Sequence, residues 1–251
     1  MTFRAMKPID GTPFGDEIAE HSQSDVTQVI QKAAAVAHEL AKLSPAEHAK
    51  LLRTIGVHIE SARDQLVATA CAETALAEGR IGGEITRTTV QFNRFAELVE
   101  TGEHLKVVID KANPDYSPAP RPDIRKLNQP LGVVAIFAAS NFPLAFSVAG
   151  GDAASAIAAG NAVVLKPSDT TPASTTLLAE IAAEFLPAGV LNVICGDRDT
   201  GRAMVTHDIP SMVSVTGSVR AGIEVAEAAA KSLKRVHLEL GGKAPLIVFD
   251  D

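Results

Sequence analysis

Tryptophan is missing from this 251-residue chain, tyrosine occurs once and cysteine twice. So few rings leave little on which nucleic-acid bases could stack. A net charge of -7, with no block of Lys and Arg, also lacks the clustered cations that phosphate-backbone binding requires. No nucleic-acid partner is expected. Cys71 and Cys195 lie far apart, in what read as a helix and a buried strand end, so neither a disulfide framework nor a zinc site is suggested and both are expected as reduced core residues. No apolar run is long enough to cross a bilayer, and the opening MTFRAMKPIDG has no apolar signal core. A cytoplasmic protein with no membrane partner is the expectation. His38, His48, His58 and His104 are scattered over helical patterns without metal-ligand company, so they are read as structural and no metal is expected.

What is present divides into two grammars. Residues 1 to about 23 mix Pro, Gly and acidic residues and read as a surface segment with room for short strands. Residues 24–43 carry Val26, Val29, Ile30, Ala33, Val36, Ala37 and Leu40 at helical spacing, with Ser24 or Asp25 as the cap. Ser44-Pro45-Ala46-Glu47 is a capping box with Pro at the first helical position, opening a helix to about Ser61. These two helices predict a helical hairpin. Two more follow, over about 63–78 and 83–100. Residues 105–109 and 124–127 then flank KANPDYSPAPRPD, whose four prolines from Pro114 to Pro122 exclude a central strand. This fits a projecting hairpin or two edge strands, either an oligomer contact or a plain solvent loop.

After Pro130, strands alternate with helices. Strand patterns occupy 132–137, 162–165, 190–194, 212–215, 236–240 and 246–249, and helical patterns 144–159, 173–185, 219–231 and a shorter one near 200–207. Such alternation predicts an α/β fold with an open, mostly parallel sheet and helices on both faces. Ligands on these sheets bind beyond the carboxyl ends of the strands. Four of those ends are polar: Ser140-Asn141, Lys166-Pro167-Ser168-Asp169, Thr216-Gly217-Ser218, and Glu239 before Gly241-Gly242. Singly, each has an ordinary reading as a surface residue or turn, Ser218 as a helix N-cap and Glu239 as a solvated strand end. The turn at Gly217 could instead hold a phosphate on free backbone N–H groups. Glu239, in apolar surroundings, could serve as a general base. Together on one rim they read as a site.

QPLGVVAIFAASNFPL, AAGNAVVLKPSDTTP, LPAGVLNVICG, VSVTGS and HLELGGKAPLIVFDD resemble the successive motifs of the aldehyde dehydrogenase superfamily, in family order, from about Gln129 to Asp251. AETALAEGR and the long helix after it resemble its N-terminal region. The helices and ASNFPLAFSVAGGDAASA are similar to 2-oxoglutarate semialdehyde dehydrogenases, and SLKRVHLELGGKAPLIVFDD to aminoaldehyde dehydrogenases. The resemblance implies a Rossmann-like cofactor-binding half and oxidation of a small-molecule aldehyde to a carboxylate with NAD, or NADP, as acceptor. It implies that Asn141 stabilises an oxyanion and Glu239 activates water. Lys166 and Asp169 would reach the adenosine ribose, Gly217 and Ser218 the pyrophosphate, and the Leu240 backbone the nicotinamide. Phe137, Ser168, Gly201 and Gly222 join them along the implied cofactor path. Ser140 stands where the family commonly has an aromatic residue, and Asp169 where Glu is common, a carboxylate that favours NAD by repelling a 2'-phosphate.

The implied units are a helical N-terminal part over 1–104, an oligomerisation arm over 105–128 and the NAD(P)-binding part over 129–251, with the catalytic domain absent. The family's nucleophilic cysteine belongs to a segment beyond the match to Asp251, and neither Cys71 nor Cys195 corresponds to it. Without a thiolate no covalent intermediate forms, so the chain alone is expected to be inactive. Three readings stay open: a dehydrogenase cut short, whose full-length version is a homo-oligomer; a module that holds NAD(P) or pairs with a catalytic chain; and a structural subunit without cofactor.

Overall fold

A computed structural model describes residues 2–147 and 150–249. The chain opens with an antiparallel hairpin, β1 (Thr2–Met6) and β2 (Pro13–Ala19), followed by helices α1 (Gln23–Val36), α2 (Pro45–Ser61), α3 (Arg63–Thr74) and α4 (Glu78–Thr101). A second exposed hairpin, β3 (Val108–Asp110) and β4 (Ile124–Lys126), carries the Pro-rich loop. The sheet region runs β5 (Val133–Phe137), α5 (Gly151–Ala158), β6 (Ala162–Lys166), α6 (Pro172–Ala183), β7 (Leu191–Val193), α7 (Arg198–Thr206), β8 (Met212–Gly217), α8 (Val219–Ala230) and β9 (Arg235–Leu240).

These five strands form one parallel sheet in the order β7-β6-β5-β8-β9. The order reverses at β5, so consecutive crossovers put α5 and α6 on one face and α7 and α8 on the other, as right-handed connections require. Side-chain alternation divides the core accordingly. Val134, Ile136, Val163 and Leu165 pack with α2 to α6, while Val133, Ala135, Val164, Val213 and Val215 pack with α1, α7 and α8. Strands covered on both sides must be apolar throughout, which is why β5 and β6 read as continuous Val, Ala, Ile and Leu runs. Asn161 pins the two strand starts together, accepting from the Leu131 and Gly132 N–H groups at 2.6 and 3.1 Å and donating to the Ala156 carbonyl at 3.0 Å.

Several expectations need correction. The first two helices do not form a hairpin: α1 lies in the α7–α8 cluster and α2 on the opposite face of the sheet. The chain changes face through a 3-10 turn at Leu40–Lys42, and Leu40 already belongs to the cluster that holds α2. The α1 cap is Ser22 rather than Ser24 or Asp25; Asp25 closes the capping box from inside, accepting from the Ser22 N–H at 2.8 Å. Helix α4 starts at Glu78, not near Gly83, and runs through Gly82 and Gly83. Arg63 of α3 approaches it closely there, donating to the Gly82 carbonyl at 2.9 Å, and a Cβ on Gly82 would stand 3.3 Å from the guanidinium. Residues 246–249 form no strand; they lack a ladder partner, and Leu246, Ile247, Val248 and Phe249 are exposed. Helix α5 begins at Gly151 rather than near Leu144; Val148, Ala149, Asp250 and Asp251, which the sequence reading also covers, lie outside the described residues.

Candidate functional site

Beyond the carboxyl ends of β5 and β8, where the strand order reverses, a groove of about 790 Å³ opens on the α7–α8 side. Phe137, Lys166, Ser168, Asp169, Gly201 and Gly217 line it, so six of the nine residues expected to hold a cofactor meet there. Lys166 is 7% exposed, its stem packed in the wall and its ammonium donating to Asp169 at 2.6 Å at the mouth. Strand β6 is buried to its last residue, so this side chain has no route to water except along the groove.

Two glycines shape the walls. A Cβ on Gly201 would lie 3.0 Å from Phe137 Cε1 and 3.5 Å from Lys166 Cδ, so this glycine lets α7 settle against both side chains. A Cβ on Gly222 would lie 2.6 Å from Leu240 Cδ1, so α8 rests directly on the end of β9. Gly222 and Leu240 thus stand behind the groove and set the spacing of its wall. Ser218 caps α8, its Oγ accepting from the Ala221 N–H at 3.2 Å, with Gly217 before it in the wall. The N-cap reading of Ser218 therefore holds, and the same turn leaves α8's first N–H groups pointing toward the groove end.

Asn141 and Glu239 belong to the other side of the rim. In β9, Leu240 faces α8, which puts Glu239 and His237 on the α5 side by strand alternation. Glu239 is exposed, so the apolar surroundings considered for it are not supplied by the described residues. The Asn141 turn is held by α4. Arg80 Nη2 donates to the Asn141 carbonyl at 2.5 Å, and Glu84, 4% exposed, accepts from the Leu144 and Ala145 N–H groups at 3.0 and 3.1 Å. Arg80 and Arg87 lie over the Phe142 and Phe146 rings at 4.8 and 4.5 Å. This clamp takes the main chain of residue 141 and leaves its side-chain amide for other work.

Sequence reasoning missed that clamp, and also Glu73 of α3. Glu73 is buried and accepts from the Ala173 and Ser174 N–H groups at 2.7 and 2.8 Å and from the Ser174 hydroxyl, capping α6 where Thr171 supplies no side-chain cap. Burial pushes its carboxyl pKa up, and the Ser174 and Ala173 donors pull it back. It missed Arg198 as well, which pairs with Glu224 at 2.5 Å across the mouth of the groove between α7 and α8. Of the two cysteines, Cys195 is buried and Cys71 half-buried, and burial raises both thiol pKa values; neither is a ready thiolate. Among the described residues no helix is long and apolar enough to cross a membrane.

The profile of the aldehyde dehydrogenase family matches residues 1–251. The chain is 36% identical over 258 residues to alpha-ketoglutaric semialdehyde dehydrogenase 2 of Azospirillum brasilense, covering 99% of this chain and 49% of that protein. It is 36% identical over 253 residues to the betaine aldehyde dehydrogenase of Agrobacterium fabrum, covering 96% and 49%. A betaine aldehyde dehydrogenase from Staphylococcus aureus, crystallised with NAD+, superposes with a TM-score of 0.90 at 27% identity, over 100% of this chain and 49% of that one. The chain thus spans about half the length of the curated relatives it matches. With the five-stranded parallel sheet, its groove and this match along its whole length, the chain belongs to the aldehyde dehydrogenase family.

Proposed function

We propose that this chain is the NAD(P)-binding half of an enzyme that oxidises a small-molecule aldehyde to a carboxylate, and that it is inactive without a half bearing the nucleophilic cysteine. The observation that carries this reading is the groove at the strand-order reversal, with a buried lysine and a carboxylate at its mouth. The residues present fit a dinucleotide. Lys166 and Asp169 offer a donor and an acceptor for ribose hydroxyls, and Ser218 and the α8 N–H groups suit a pyrophosphate. Glycine at 201 and 222 keeps the walls close enough to grip a planar ring system. The carboxylate of Asp169 favours NAD over NADP.

When bound, the nicotinamide would supply the two-electron acceptor. The chain's own groups do the rest of what falls to this half. Asn141, its backbone fixed by Arg80, directs its side-chain N–H to the oxyanion formed when a thiolate adds to the aldehyde. Glu239, open to solvent on the same rim, takes a proton from the water that releases the acid. Residues 1–104 and 129–251 act as one cofactor-binding unit, and 105–128 forms an arm for homo-oligomer assembly of the longer enzyme, with Val108, Ile109 and Ile124 exposed on its strands.

The test joins Asp251 to the second half of the Azospirillum relative. The fusion should reduce NAD on adding an aldehyde, while the 251-residue chain should not. Asn141→Ala and Glu239→Gln should each lower the fusion's turnover by about a hundredfold or more. Aldehyde oxidation by the short chain alone, or a fusion indifferent to both substitutions, would overturn the proposal.

A further inference from the structure

On the α5 face of the sheet, three side chains that the reading above leaves unused form a hydrogen-bonded line. Ser214 of β8 is 3% exposed, and its hydroxyl donates to Asp152 Oδ2 at 2.9 Å. Ser214 Oγ also lies 3.1 Å from Nδ1 of His237, the residue directly paired with Ser214 on β9. Asp152 sits in the first turn of α5, where the helix dipole suits a carboxylate, and His237 is exposed.

The proton count fixes the direction of this line. A serine hydroxyl has one proton, and an ionised carboxylate can only accept, so the Ser214 proton goes to Asp152. The Ser214 lone pair must then accept from His237, whose proton is therefore on Nδ1. The ring's remaining acceptor, Nε2, is left on the open face. These are the residue types of a hydrolytic triad in the wrong order, with the serine buried and bonded to the acid, so Ser214 is not a nucleophile. The order instead suits a histidine that collects protons. Glu239 is two residues further along the same face of β9, its Cα roughly 7 Å from that of His237 by strand rise, so the two side chains are next neighbours on that face and water between them can join them.

We propose that Asp152 and Ser214 lock His237 in its Nδ1–H form and that Nε2 accepts the proton Glu239 has removed from water, an assignment that rests on Glu239 acting as the base. In that step water loses a proton to the Glu239 carboxylate while its oxygen adds to the acyl carbon, and the tetrahedral oxyanion so formed collapses by breaking the C–S bond, which frees the acid and returns the cysteine of the other half as thiolate. The carboxylic proton then passes through the bridging water to Nε2. The imidazolium so formed keeps its Nδ1–H bond to Ser214, faces the Asp152 charge through it, and releases the proton to bulk water. Glu239 is restored as carboxylate.

The test uses the 251-residue chain without cofactor, labelled with 15N-histidine, in long-range 1H–15N spectra at a pH where imidazole is neutral. The signal that His237→Gln removes should show protonated Nδ1 and bare Nε2, the reverse of the form free imidazole side chains favour. Ser214→Ala and Asp152→Asn should each return it toward Nε2–H, and Glu239→Gln should shift the Nε2 resonance while leaving Nδ1 protonated. A His237 found with Nε2–H, or unmoved by the Ser214 and Asp152 substitutions, would overturn the relay. An Nε2 indifferent to Glu239→Gln would overturn the proton transfer. None of these readouts needs NAD or an active enzyme, so failure of the dehydrogenase reading shows itself separately in the fusion assay.

Discussion

Lys166 and Asp169 bond to each other at 2.6 Å, yet their side chains are 9% and 75% exposed, so the pair joins a fixed wall to a free lip. In the proposed function this free carboxylate sets the choice of nucleotide. Asp169→Ala should improve NADP relative to NAD by about tenfold, read by competition binding, because it removes the charge facing a 2'-phosphate. Both residues could be placed at the rim from sequence because they end or follow a strand within one short motif. Glu73 and Glu84 could not, since the N–H groups they satisfy lie 100 and 60 residues away and only folding brings them together. Glu73→Gln should cost about 2 kcal/mol in urea unfolding, the worth of a charge-assisted cap at a buried helix start. His48 adds a pH signature. Burial holds its imidazole pKa below the ordinary value, so the folded chain resists a proton that the unfolded chain takes near pH 6.5. The stability tied to neutral His48 is full above about pH 6.5 and is lost as the pH falls through that value. Between pH 7.5 and 5.5 the parent should lose more unfolding free energy than His48→Leu, by up to about 1.4 kcal/mol per pH unit.

At the scale of elements, α4 reaches furthest, since one of its faces packs on α2 and its first turns hold the Asn141 loop. Glu84→Gln replaces an acceptor of two backbone N–H groups with one that also carries a donor. It should cost about 2–3 kcal/mol and speed amide exchange at Leu144 and Ala145. Unchanged exchange there would mean the loop is held by its own turn. Periodicity and caps placed α2 within its observed bounds because Ser44, Pro45 and Glu47 carry the start locally. The same reasoning mispaired α1 with α2. An amphipathic stripe tells which side of a helix is buried but not against what, and Val26, Ile30 and Ala33 fit the α7 face of the sheet. The start of α5 was misplaced because the apolar spacing runs on through Gly150 and Gly151, a glycine pair of low helix propensity, and the helix begins only at Gly151.

Over the whole molecule, alternating strands and helices sufficed to read an open parallel sheet, and the polar strand ends pointed to its rim. The split of that rim into two sides was not legible. Whether Glu239 and Lys166 share a face depends on the strand order, and no single motif encodes that order. The groove is lined by residues of this chain, whereas Glu239 and residues 246–249 are exposed. Cofactor binding should therefore survive where catalysis does not. A calorimetric titration of the 251-residue chain with NAD, paired with thermal melting, tests this most directly. One saturable site per chain is expected, weakened by Lys166→Ala and Ser218→Ala. At a hundred times Kd the ligand should add about 2.7 kcal/mol of stability, a rise in Tm of roughly 5–10 °C. A folded chain that binds neither NAD nor NADP, or binds them equally well with Lys166 and Ser218 removed, would contradict this expectation.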